Sequence, residues 1–196
     1  MATARYTHLG DNASPNIDVY TSQVVVYEGE SFDWTISGQD GQSSVTVEQV
    51  PGQNWPFTVS SFPVSRGNGT SATVPTGTAG SYQFQCSPAA PVSPQTLIVA
   101  KVHGQCGDPK GPPGAWFAWE NNQGAAIVIK AVSGNLPLAG NPSQVVIPAN
   151  STQVFQIATN ATAGDYPVNP TFQQSGLGCC PQAGEPKIVV GTTIPR

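Results

Sequence analysis

Thr78-Ala79-Gly80-Ser81-Tyr82 recurs 84 residues later as Thr162-Ala163-Gly164-Asp165-Tyr166. Three further echoes lie around it in the same order. Phe32-Asp33-Trp34 returns as Phe117-Ala118-Trp119, at a spacing of 85. Asn54-Trp55-Pro56-Phe57 returns as Asn135-Leu136-Pro137-Leu138, at 81. Leu97-Ile98-Val99 is matched to Lys187-Ile188-Val189, at 90. Four collinear matches with small drifts in spacing indicate two homologous units with loop insertions between their elements. The units run over residues 16–102 and 103–196, with residues 1–15 a tail or an edge strand.

Almost no stretch has a helical period. Strands are expected over 17–26, 31–36, 43–49, 58–61, 69–74, 80–86 and 95–102. A second set covers 115–120, 125–131, 143–147, 153–159, 165–169 and 187–194. Clusters of Gly, Pro, Asn and Asp separate them, as turns do. Short strands at this interval indicate an all-β sandwich or barrel. Phe32 and Trp34 fall on one face of their strand, as do Phe117 and Trp119, because strand side chains alternate. That face is expected to point inward, with Asp33 and Ala118 outward.

The composition agrees. The 196 residues include 21 Gly and 19 Pro, and only 9% are charged, against about 25% in ordinary domains. The net charge is -4. Such a chain lacks the cationic density that displaces counterions from nucleic acid. It lacks the Glu, Lys and Arg of a charged helical bundle, and no apolar run is long enough for a membrane-spanning helix. A polar, weakly charged surface and four Asn-x-Ser/Thr sequons, at Asn12, Asn68, Asn150 and Asn160, favour an extracellular or cell-surface location. No signal peptide is visible in this chain.

Cysteines occur at 86, 106, 179 and 180. An even number in such a chain suggests disulfides. Bonding between the neighbours Cys179 and Cys180 would strain the peptide that joins them. The favoured pairing therefore links Cys106 to one of the adjacent pair, while Cys86 is a buried thiol or half of a second bridge. The spacing is wrong for zinc, and only His8 and His103 are available as imidazoles.

Gly80-Ser81-Tyr82-Gln83-Phe84-Gln85-Cys86-Ser87-Pro88 resembles the last hairpin of a cupredoxin, the blue-copper fold. In that family such a strand enters a Cys-x-Pro-His loop and returns through an aliphatic strand like Leu97-Ile98-Val99. Val24-Val25-Val26 followed by Gly29-Glu30 resembles the family's opening. The resemblance implies two Greek-key β-sandwiches, cupredoxin-like; an immunoglobulin-like sandwich is the alternative. It also implies that Cys86 occupies the copper cysteine position. The accompanying ligands do not follow: Ala89 stands where histidine is expected and Pro94 where methionine is. No histidine lies between Asp11 and Ala100. A His₂Cys copper site is therefore not expected, and the units read as cupredoxin-like domains that have lost the copper ligands. In the second unit, Pro170 corresponds to Cys86.

No serine triad or carboxylate pair stands out. Glu28 and Glu30, two apart, read as solubilising groups at a strand end. No cofactor is expected; the oxygen-rich stretches Asp11-Asn12 and Asp40-Gly41-Gln42 make calcium the minor exception. The possible binding aromatics are Trp55, Phe57 and Trp116. The leading functional expectation is a non-catalytic structural or assembly protein of a surface, coat, matrix or filament. Its partners would be other protein subunits, itself included. The alternative is a carbohydrate- or protein-binding module that uses those aromatics, and a hydrolase comes last. Neither nucleic acid nor membrane insertion is expected.

Overall fold

The computed structural model describes residues 16–36, 42–88, 94–104, 106–180 and 185–191. The expected tail or edge strand at 1–15 and the chain beyond 191 lie outside those residues. The described chain is all-β. It divides into two compact units, Met1–Ala100 and Lys101–Arg196.

The first unit contains β1 (Asn16–Asp18), β2 (Gln23–Tyr27), β3 (Ser31–Thr35), β4 (Ser44–Gln49), β5 (Ser61–Ser65), β6 (Thr70–Thr73), β7 (Gly80–Ser87) and the start of β8 (Gln95–Gly104). One sheet has the order β1-β3-β6, with β1 and β3 parallel. The other runs β2-β8-β7-β4-β5, with β2 parallel to residues 96–100 of β8. Ile17, Phe32, Trp34 and Ala72 of the first sheet share one apolar cluster with Val24, Val47, Phe84, Leu97 and Val99 of the second. That shared core makes the unit a β-sandwich.

The second unit repeats the plan. Residues 101–104 of β8 pair in parallel with β10 (Trp116–Asn121), and β10 pairs antiparallel with β13 (Ser151–Gln156). The other sheet runs β9 (Lys110–Gly111), β15 (Lys187–Val190), β14 (Gly164–Phe172), β11 (Ile127–Ala131), β12 (Gln144–Ile147). The pairing of β9 with β15 is parallel, like that of β2 with β8. Each pairing of the first unit thus has its counterpart in the second. Phe117, Trp119, Ile127, Ile129, Ile147, Val168, Ile188 and Val190 form the second core.

The register explains why Thr-Ala-Gly-x-Tyr recurs. Tyr82 Oη donates to the Thr78 carbonyl at 2.5 Å, and Tyr166 Oη donates to the Thr162 carbonyl at 2.9 Å. Each tyrosine bonds four residues back and fixes the entry into β7 or β14, a corner known from other sandwiches. Burial, and after it the nearby Glu28 carboxylate, raise the Tyr82 pKa. Glu28 itself accepts the Ala79 N–H at 2.6 Å.

Several expectations change. The expected strand over 17–26 is two strands, because the Asp18 carboxylate accepts the Tyr20 N–H at 2.9 Å and turns the chain from one sheet to the other. The strand expected at 58–61 is β5, shifted to Ser61–Ser65. Its Pro63 is tolerated because β5 is an edge strand. Lys110–Gly111 is an unanticipated short strand. The match of Leu97-Ile98-Val99 to Lys187-Ile188-Val189 is one residue out of register. Tyr82 faces Leu97, and Tyr166 faces Ile188, so Leu97-Ile98-Val99 corresponds to Ile188-Val189-Val190. A slip of one residue would turn the inward side chains to the other face. Ala118 is also not outward: Phe117, Ala118 and Trp119 are consecutive and all buried, so both faces of β10 are covered there.

Replacing Tyr82 by Phe removes the corner hydrogen bond from a partly buried site, and replacing Tyr166 by Phe removes it from an exposed one. Urea unfolding is expected to place Tyr82→Phe about 1 kcal/mol below the wild type and Tyr166→Phe closer to it. Equal losses would contradict the corner's dependence on burial.

Candidate functional site

Cys86 lies on β7 opposite Val47 and is buried. Its thiol donates to the Val19 carbonyl at 3.2 Å and contacts Gln95 Oε1 at 3.4 Å. Gln95 is fully buried, and its amide nitrogen donates to the carbonyls of Val19 and Thr21. Burial pushes the Cys86 thiol up to about 12; the Gln95 hydrogen bond works against that, and Asp18 and Glu48 add to it. Cys86 is thus a protonated thiol closed over by an amide. The donors around it in the described residues are an amide oxygen and a peptide carbonyl, which do not fit the imidazole and thiolate set of a blue-copper centre. Ala89, where that family carries a histidine, lies outside the described residues.

Gln95 did not stand out as a site residue in the sequence. The signal was its period: Gln95, Leu97 and Val99 alternate on one strand face, and the other two are core residues. In the second unit Ile129, the counterpart of Val47, faces Pro170. The register thereby pairs Pro170 with Cys86 across the repeat.

The aromatics are drawn inward. Trp55 and Phe57 are half-buried against the first core. Their rings meet edge to face at 5.1 Å, and Phe57 meets Phe62 at 5.0 Å. Trp55 Nε1 donates to the Val59 carbonyl at 2.9 Å. Their repeat counterparts Leu136 and Leu138 are fully buried. Trp116 is half-buried on β10, opposite Gln156. Trp55 belongs to the first unit and Trp116 to the second.

The cysteines of the second unit do converge. Cys106 and Cys180 form a disulfide, with Cα atoms 5.7 Å apart. Cys179 is a half-buried free thiol, raised in pKa by burial, and its sulfur lies 3.6 Å from that of Cys180. His103 packs edge to face on Phe117 at 6.3 Å. His8, Asp11, Asn12, Asp40 and Gly41 lie outside the described residues, so both stretches proposed for calcium fall largely beyond them.

Shallow cavities also lie among the described residues. One, of about 390 Å³, is lined by Asn135, Asn141, Asn160 and Tyr166 among others. Another, of about 320 Å³, includes Asp33 and Ser71, whose hydroxyl donates to the Asp33 carboxylate at 2.5 Å.

No protein-family model and no curated protein matches the sequence. Solved structures do. A Cu(I) mutant of amicyanin is 18% identical, over 46% of this chain and 85% of that one, with a TM-score of 0.33. Copper nitrite reductase from Nitrosomonas europaea is 10% identical, over 92% of this chain and 91% of that one, with a TM-score of 0.30. SGBP-B of the Bacteroides ovatus mixed-linkage glucan utilization locus, solved with a mixed-linkage heptasaccharide, is 14% identical, with a TM-score of 0.29. It covers 85% of this chain and 43% of that one.

The raised Cys86 pKa has a pH consequence. An unfolded thiol ionises near 9.0, whereas the folded one holds its proton to about 12. Between those values the unfolded state binds fewer protons, so stability falls as pH rises. Unfolding midpoints followed from pH 8 upward are expected to drop more steeply for the wild type than for Cys86→Ala. Parallel slopes would show that Cys86 is not the group responsible.

Proposed function

We propose that this protein is a non-catalytic structural protein that assembles through protein–protein contacts, with a second copy of itself as the first partner to test. The observation that carries the reading is the edge strand β12. It closes one side of the second unit's five-stranded sheet. Its sequence, Gln144-Val145-Val146-Ile147, has neither charge nor proline, and Val146 is 41% exposed. Its counterpart in the first unit, β5, carries Pro63 at its centre, which blunts pairing there. An uncharged strand at the edge of the sheet among the described residues is a template for strand addition. The low charge of the chain opposes association only weakly.

The disulfide supports an oxidising, extracellular setting. In this reading Cys86 is a structural thiol, in a cupredoxin-like unit that has given up copper.

Sedimentation over a concentration series is expected to show the wild type gaining mass as concentration rises. Val146→Lys should weaken association about 10-fold or more, near 1.4 kcal/mol, while leaving stability within about 0.5 kcal/mol. A wild type that stays monomeric throughout overturns the reading.

One observation favours a second reading, carbohydrate binding: Asn135, Asn141, Asn160 and Tyr166 are among the residues that line the cavity of about 390 Å³. Amides that donate and accept beside an aromatic ring suit sugar hydroxyls and a sugar face. On a glycan array, binding by the wild type that Asn135→Ala abolishes is the expected result. Signal that survives that change, or none at all, removes this reading.

A further inference from the structure

The second unit brings the sulfur of Cys106 to those of the neighbours Cys179 and Cys180, the latter 74 residues further along the chain. Cys106, Cys179 and Cys180 offer sulfurs that all lie within 4.8 Å of one another, and all three residues are half-buried. At present two of them are joined as a disulfide. We propose that reduction of this disulfide converts the cluster into a three-thiolate site for a soft metal ion, zinc(II) or copper(I). The proposal is independent of the assembly reading.

Three features carry it. The first is distance. An ion bonded about 2.3 Å from each thiolate needs sulfurs about 3.8 Å apart in tetrahedral geometry and about 4.0 Å apart in trigonal geometry. The Cys179 and Cys180 sulfurs are already 3.6 Å apart. The Cys106 sulfur lies within 4.8 Å of both of the others, so all three are within reach of one ion.

The second is backbone support that does not depend on sulfur. Gly107 N donates to the Gly104 carbonyl at 2.8 Å, which closes the turn that carries Cys106. Trp119 Nε1, from the core, donates to the Gly107 carbonyl at 3.3 Å. On the other side, Cys179 N donates to the Pro170 carbonyl of β14 at 3.2 Å, and Phe172 N to the Leu177 carbonyl at 2.9 Å. Gly178 bridges Thr171. Both segments are therefore tied to the sheets by bonds that reduction leaves in place. The Cys106 sulfur also lies 3.7 Å from the Cys179 carbonyl oxygen, so the two segments already touch.

The third is donor chemistry. Among the described residues the cluster contains no carboxylate and no imidazole. Thiolates alone select soft ions over calcium or magnesium. Three thiolates complete a trigonal copper(I) site and leave a fourth position open on zinc(II).

The steps balance. A water-soluble phosphine reduces the disulfide, takes the oxygen of one water to become the phosphine oxide, and leaves thiols on Cys106 and Cys180. The incoming ion then displaces the protons of the three thiols, one for each metal–sulfur bond formed.

The test uses the full chain, reduced anaerobically with phosphine and titrated separately with zinc(II) and copper(I) against a competing chelator. The expected result is one ion per chain. Cys179→Ser, which keeps the Cys106–Cys180 pair and Cys86, should bind more than about 100-fold more weakly, beyond the cost of losing an outer-shell partner. Binding of only one of the two ions supports the site and identifies its geometry. Alkylation read by mass spectrometry guards against unfolding. Bound metal should shield Cys106, Cys179 and Cys180, while Cys86, buried in the other unit's core, reports whether the fold is intact. If reduction alone exposes Cys86, metal should restore its protection. Failure of both ions to shield the three cysteines, or equal affinity in wild type and Cys179→Ser, overturns the proposal.

Discussion

Each half of the chain is organised around two aromatic rings set two residues apart on one strand. Phe32 and Trp34 meet edge to face, with centroids 5.0 Å apart and planes at 79°. Phe117 and Trp119 repeat this at 5.0 Å and 80°. Side chains two apart on a strand share a face. The ring quadrupoles favour the edge-on contact, and each large ring removes a wide apolar area from water. The opposite sheet supplies the rest: Val47, Phe84 and Leu97 in one unit, and Ile129, Val168 and Ile188 in the other. Charged residues are too scarce to hold such a chain together by ion pairs, so the two sandwiches rest on these cores.

With the aromatics buried, the register of each sheet is constrained, and the register carries the other features. Cys86 falls opposite Val47, and Pro170 falls opposite Ile129. The same position therefore holds a thiol in one unit and a ring with no donor in the other. Polar side chains that the register turns inward must find partners. Gln95 does so through the Val19 and Thr21 carbonyls. Asn121, fully buried, donates to the carbonyls of Ala125, Ile147 and Pro148. Both act as staples between a strand and a neighbouring turn, and a buried amide without such bonds would be costly.

Much of this was legible in the residues. The all-β class, the two-unit repeat, the inward Phe-x-Trp pairs and the correspondence of Cys86 with Pro170 all follow from alternation and spacing. The links that were misread have physical causes. The Asp18 turn splits a continuous apolar run because a side-chain carboxylate takes a backbone N–H, which hydrophobicity does not reveal. The last pair of strands was matched one residue out because runs of Ile and Val look alike in either register. Trp55 and Phe57, the candidate binding aromatics of the first unit, lie half-buried against its core, where their counterparts are leucines.

The scarcity of charge, the Gly and Pro punctuation and the repeated motifs determined by themselves an all-β pair of repeated units, with four cysteines placed along it. Only the tertiary structure decided which of those groups meet. Cys106 and Cys180 are 74 residues apart in the chain, and Cys179 joins them because a turn from β8 and the return of β14 end at one place. Gln95 and Cys86 meet across a hairpin end. Local alternation depends on neighbours along the chain and is written there. The meeting of distant sulfurs depends on where the packed sheets bring their loops.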